Sequence, residues 1–247
     1  MAEKGIFITG TDTGVGKTVV ASAIVSCLRQ QNIDAVYMKP VQTGCEQTGN
    51  VLVASDVEFA LRMAELNSLT TEERRLICPY MFESACSPHL ASERENVAID
   101  IGHIIDCYTE LSLKHDLVVV EGAGGILVPI HGAYTMADLI TELGLHVIVV
   151  SRPGLGTINH TLLSLRELAA RKIKVLGVIF NRSEFEPPSY IENDNQETVR
   201  RLGKAVMLGC LPFIERISSN MSADQFINQC VAELTATCRI IRNVVLQ

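Results

Sequence analysis

The chain alternates short apolar runs with longer stretches in which apolar residues recur every three or four positions. The runs "GIFIT" (5–9), "AVYMKP" (35–40), "DLVVVEGAGG" (116–125), "HVIVVS" (146–151), "VLGVIFN" (175–181) and "VMLGCLP" (206–212) are apolar on successive residues, not on alternate ones. A strand without a polar face is buried on both sides. The segments 17–31, 55–66, 99–114, 135–144, 157–171, about 195–203 and about 222–238 have helical spacing, with Ser55-Asp56 as a start signal and Gly144 as a stop. Strands of this kind separated by helices predict an α/β fold, a mostly parallel, doubly wound sheet with helices on both faces. No repeat or low-complexity tract interrupts the pattern. The polar segment 182–195, with its Pro187-Pro188 pair, reads as a surface excursion, so residues 1–247 are expected to form a single domain.

In such sheets ligands bind beyond the carboxyl ends of the strands. There the sequence places "GTDTGVGKT" after the first strand, Lys39 and Thr43 after the second, and Glu121-Gly-Ala-Gly-Gly at the end of the third. The fourth is followed by "PGLGTIN", the fifth ends at Asn181, and the sixth is followed by Pro212. A strand, a Gly-rich loop and Lys-Thr at a helix start form the context of a P-loop, whose backbone N–H groups and helix N-terminus cradle phosphate. Five residues separate Gly10 from Gly16-Lys17-Thr18, one more than in the common spacing. The register "DTGVGKT" is similar to a variant loop with an early second lysine, but Asp12 stands where that lysine would be. Its absence disfavours a partner-binding switch ATPase and favours a metabolic enzyme, within a P-loop NTPase-like fold.

Phosphoryl transfer needs crowded phosphate oxygens neutralised, and a protein Mg²⁺ site usually combines a hydroxyl with one or two carboxylates. Thr18, Asp56 and Glu121 fit that description, with Lys17 directed to phosphate. Asp56 would look the same as a helix cap. Lys39, beside the phosphate loop, supplies a second cation for a second anion, and holding two reactants together is worth on the order of 7–11 kcal/mol of barrier in the best cases. The start of the helix at Thr157 suits a carboxylate, although Thr157 as a simple cap reads equally well.

Composition narrows the partners. Apolar residues make up 47%, yet no run reaches the roughly 18–20 residues of a membrane span. The N-terminal decapeptide lacks a signal-peptide layout. A net charge of −7 argues against nucleic acid as the main partner. The eight cysteines contain no C-x-x-C pair, which fits reduced thiols in a cytoplasmic protein.

"GTDTGVGKT", "KPVQTG", "SPHLAS", "EGAGGILVP" and "GTINHTLLSL" follow one another in the order seen in dethiobiotin synthetases, and the resemblance runs from about residue 5 to 213. The resemblance implies ATP- and Mg²⁺-dependent ring closure of 7,8-diaminopelargonic acid with CO₂ through a carbamate and a carbamic–phosphoric anhydride. It implies that Thr13, Gly14, Val15, Gly16, Lys17 and Thr18 hold the phosphates, with Thr18, Asp56 and Glu121 around Mg²⁺. Lys39 would stabilise the carbamate, with Thr43 and Ser87 at the substrate. Gly156, Thr157 and Asn159 of a partner subunit in a homodimer would receive the distal carboxylate, and Asn181 and Pro212 would meet the adenine. Some members carry Glu where this chain has Gly14, so a carboxylate there is dispensable. Either Tyr190 or Asn195 corresponds to a tyrosine that some members place in the partner-subunit pocket. His89, His131 and His160 have no required role. An amidotransferase-type cobyrinate diamide synthetase is disfavoured, because the roughly 35 residues after Pro212 are too few for a glutaminase domain.

Overall fold

The computed structural model describes residues 4–49, 51–66, 69–183, 185, 189–214 and 221–245. Six strands form the central sheet: β1 (Gly5–Gly10), β2 (Ala35–Met38), β3 (Leu117–Gly125), β4 (His146–Ser151), β5 (Val175–Asn181) and β6 (Met207–Leu211). Their order is β6-β5-β4-β1-β3-β2, and every neighbouring pair is parallel. Every residue of β1 and β2 is buried, so the sheet is covered on both faces, as unbroken apolar runs require.

Nine helices are seen among the described residues: α1 (Lys17–Gln30), α2 (Ser55–Met63), α3 (Thr71–Ile77), α4 (Pro88–Glu95), α5 (Ile101–Lys114), α6 (Met136–Leu143), α7 (Thr157–Ala170), α8 (Tyr190–Gly203) and α9 (Ala223–Val245). Two differences from the expected pattern matter. Within the segment 182–195 expected as an excursion, α8 begins at Tyr190, with Ser189 at its N-cap, while residues 184 and 186–188 lie outside the described residues. The last helix runs to Val245 and buries Phe226, Cys230, Leu234, Cys238 and Ile241 along one side. None of the described helices is long and apolar enough to cross a membrane.

The strand order fixes where a ligand can sit. The chain leaves β1 outward to β2, returns to lay β3 between them, then crosses to the other side of β1 with β4. The loop after β1 is therefore flanked by the ends of β3 and β4, at the point where the winding reverses.

Candidate active site

The loop after β1 ends at Gly16, which has φ +92° and caps α1. A Cβ at Gly16 would lie 2.0 Å from Asn181 Nδ2, so only glycine lets the amide at the end of β5 approach. Asn181 Nδ2 donates to the Val15 carbonyl at 3.1 Å and ties β5 to the loop. Lys17 opens α1, is buried, and donates from Nζ to the Asp12 carbonyl at 2.9 Å. Burial, opposed by the Glu121 and Asp56 charges and aided by that of Lys39, lowers its pKa to about 8.

Glu121 lies within β3, opposite Ile8 of β1, and only 1% of it is exposed. Its carboxylate collects three donors. Thr18 Oγ1 and Lys39 Nζ donate to the same oxygen, Oε1, at 2.8 and 2.9 Å, and Tyr37 Oη donates to Oε2 at 2.6 Å. Lys39 follows β2 directly, and its backbone N–H donates to the Ile77 carbonyl at 2.8 Å. Its ammonium also bonds Asp56, in the first turn of α2. Burial works against the charge on Lys39, but Glu121 and Asp56 together outweigh it and raise the pKa above the ordinary lysine value. Burial and the neighbouring Glu121 charge push the Tyr37 phenol well above its ordinary range, so it remains a donor.

Lys17, Thr18, Lys39, Asp56 and Glu121 thus meet at the carboxyl edge of the sheet. Ala54 rather than Asp56 occupies the N-cap of α2, which leaves the Asp56 carboxylate to Lys39. Two carboxylates on one ammonium, with the Thr18 hydroxyl on one of them, form an oxygen set that fits Mg²⁺, an ion that takes one or two carboxylates and keeps its remaining places for water and phosphate. Among the described residues there is no cluster of three or more His, Cys, Asp or Glu, which is what a dedicated all-protein metal cage would need.

The other candidates are placed around this centre. Thr13 and Gly14 are exposed on the loop, Gly14 at φ +73° with open space where a side chain would go. Thr43 is half-buried, and its carbonyl accepts from Gln42 Nε2. Ser87 is the N-cap of α4, ahead of Pro88. Pro212 lines a cavity of about 400 Å³ with Arg182, Asn193, Gln196 and Gln229. Gly156 and Asn159 are exposed at the start of α7, but Thr157 turns inward. Its hydroxyl contacts those of Ser151 and Thr161 at 2.7 and 3.2 Å, and its N–H donates to the Gly154 carbonyl at 3.3 Å. Gly156, not Thr157, is the helix cap. Asn195 is buried and donates to the Pro153 and Gly154 carbonyls, while Tyr190 is 83% exposed, so of these two only Tyr190 presents its side chain outward. Tyr37 is the contributor that motif reading passes over. The signal for it is the period of two that puts residue 39, just past the end of β2, on the same side as residue 37.

A fully parallel sheet with a phosphate-type loop at its reversal point, and a lysine–carboxylate centre beside it, define a P-loop nucleotide-binding α/β protein. Solved structures agree on the fold. A chain of the MinC:MinD cell division protein complex of Aquifex aeolicus superposes with a TM-score of 0.58 at 15% identity, covering 99% of this chain and 96% of that one. A ParA family ATPase of Chlorobium tepidum gives 0.55 at 13%, covering 100% and 98%. The family described as an AAA domain matches residues 4–221. The ATP-dependent dethiobiotin synthetase BioD of Thermodesulfovibrio yellowstonii is 40% identical over 87% of this chain and 91% of its own. That of Anaeromyxobacter dehalogenans is 40% identical over 85% and 90%, and that of Clostridium acetobutylicum 34% over 92% and 93%. This chain belongs to the dethiobiotin synthetase family.

Proposed function

We propose that this protein closes the cyclic urea of dethiobiotin from 7,8-diaminopelargonic acid and CO₂, using ATP with Mg²⁺. The observation that carries the reading is the single carboxylate oxygen, Glu121 Oε1, shared by Thr18 at the phosphate loop and by Lys39. It sets a second cation next to the place where the γ-phosphate would lie, and that is what joining two anions needs.

In this reading one amine captures CO₂ and loses a proton, giving a carbamate. A carbamate oxygen attacks the γ-phosphorus of ATP and ADP leaves, forming the carbamic–phosphoric anhydride. The second amine attacks the carbonyl carbon and gives up a proton, the bond from that carbon to the phosphate oxygen breaks, and phosphate departs with the electron pair. Lys17 and the backbone of residues 13–16 hold the β- and γ-phosphates. Thr18, Asp56 and Glu121 would hold Mg²⁺, which when bound neutralises the phosphate oxygens. Lys39 holds the carbamate and offsets the charge that builds up during transfer. Thr43 and Ser87 border the diamine, and Asn181 and Pro212 border the base. The distal carboxylate is received at the start of α7 of a second subunit in a homodimer, by Gly156 and Asn159, with Thr157 holding the helix start and Tyr190 nearby. The chain acts as one domain in the cytoplasm, in keeping with its eight free cysteines.

The test is dethiobiotin formation from the diamine, bicarbonate and MgATP with a coupled phosphate readout. Phosphate released in step with dethiobiotin, and only when both co-substrates are present, supports the reading. ATP hydrolysis indifferent to both would assign the chain to the switch ATPases and sink it.

A further inference from the structure

Tyr37 lies in β2 two residues before Lys39 and is completely buried. Both side chains reach the same carboxylate on the neighbouring strand, Lys39 to Oε1 and Tyr37 to Oε2. The register explains how. Met38 pairs with Val120, which brings the end of β2 alongside Glu121. The terminal torsion of a glutamate is broad and roughly two-fold, so a buried carboxylate held at one oxygen alone can still swivel. Here the phenol takes Oε2, and Oε1 is left facing Thr18 and Lys39. Packing alone would be met by phenylalanine, since the ring is what fills the core. Among the described residues the hydroxyl has one hydrogen-bond acceptor, and that acceptor is Glu121.

We propose that Tyr37 is a positioning residue for the metal-facing carboxylate: its hydroxyl fixes Glu121 so that Oε1 is presented to the phosphate loop and to Lys39. The inference rests on the reading of Glu121 as a Mg²⁺ ligand. Partners of this kind hold ligand orientation and basicity, and losing them typically costs about 10–100-fold in metal affinity or activity.

The test is Tyr37→Phe, which removes one oxygen and keeps the ring. Mn²⁺ binding to the whole protein is measured by electron paramagnetic resonance in the presence of a non-hydrolysable ATP analogue. Thermal unfolding and steady-state kinetics are followed alongside. The Mn²⁺ dissociation constant is expected to rise about 10- to 100-fold. The Mg²⁺ concentration for half-maximal turnover should rise in parallel, while KM for the diamine stays unchanged. Tyr37→4-aminophenylalanine returns a donor to the same place and is expected to restore metal binding. In a Glu121→Gln background, Tyr37→Phe should weaken metal binding no further. Natural metal affinity in Tyr37→Phe, no restoration by the amino analogue, full additivity with Glu121→Gln, or a Tyr37→Phe chain that does not fold each overturn the inference. The metal measurement uses no diamine, so a natural protein that binds metal normally yet makes no dethiobiotin would count against the proposed function alone.

Discussion

Lys39 and Glu121 are a buried ion pair, 6% and 1% exposed at their side chains, and a pair of this kind stabilises little by itself. Removing one partner strands the other charge, at a cost of about 3–5 kcal/mol where nothing else compensates. Glu121 keeps Tyr37 and Thr18 as donors, so the loss in Lys39→Ala should fall at or below the low end of that range. In the proposed reaction its effect should fall mainly on chemistry. Lys39→Ala should reduce turnover by at least about 10²–10³-fold, the usual worth of a charge aimed at a transition state. Nucleotide binding should remain measurable, because Lys17 and the loop are untouched; calorimetry with an ATP analogue and the coupled assay separate the two. Gly16→Ala tests the loop from the other side. A methyl there meets Asn181 Nδ2 and needs a φ of +92°. Such backbone positions cost about 1–3 kcal/mol for a side-chain-bearing residue. The expected result is nucleotide binding lost beyond detection in calorimetry while the sheet keeps its circular dichroism.

At the scale of elements, α6 carries a local pH dependence. Thr135 N–H and Oγ1 both donate to Asp138 Oδ2, at 2.7 and 2.6 Å, and Arg171 donates to Oδ1 at 2.5 Å. Hydrogen bonds from Thr135, joined by Arg171, hold the Asp138 carboxyl below its ordinary pKa. A depressed carboxyl contributes stability that is present above its unfolded pKa and is lost as pH falls through the folded one. Asp138→Asn should therefore cost about 1 kcal/mol near neutrality, the usual worth of a cap. The difference from the natural protein should shrink as pH falls below the ordinary aspartate pKa, as followed by urea unfolding across pH. The same element shows what local pattern can and cannot reveal. Thr135 at the start and Gly144 at φ +69° after the end are plain in the sequence. α3 has an equally plain Thr70…Glu73 capping box, but at seven residues its apolar period is too short to register. α4 buries only Pro88, Ala91 and Ser92, so no apolar stripe marks it. α8 starts within a polar stretch because it buries Asn195 and Glu192 along with Val199, and polarity there does not mean loop.

At the scale of the molecule, the proposed homodimer makes a prediction that no single chain can satisfy. Lys39→Ala disables the lysine centre of its own subunit. Gly156→Asp would repel a carboxylate from the start of α7, which in the proposed arrangement serves the other subunit. Each variant alone should be inactive. Mixed in equal amounts and allowed to exchange, they should recover about a quarter of natural activity, since half of the dimers then hold one site with both parts intact. No recovery after exchange, shown by native mass spectrometry, would mean that both parts serve one chain.

The sequence by itself determined the elements and the chemistry on offer: which runs are strands, where the glycine loop lies, and that two lysines and several carboxylates stand at strand ends. These follow from interactions spanning a few residues, the apolar period and the turn chemistry of glycine, so they can be read along the chain. Only the tertiary structure decided that Thr18 and Glu121, 103 positions apart, share a hydrogen bond, and that Tyr37 and Lys39 hold the two oxygens of one carboxylate. It also turned Thr157 and Asn195 inward and left Tyr190 outside. The physical reason is that β3 enters the sheet between β1 and β2, and which strands become neighbours is set by burying both faces of the whole sheet at once.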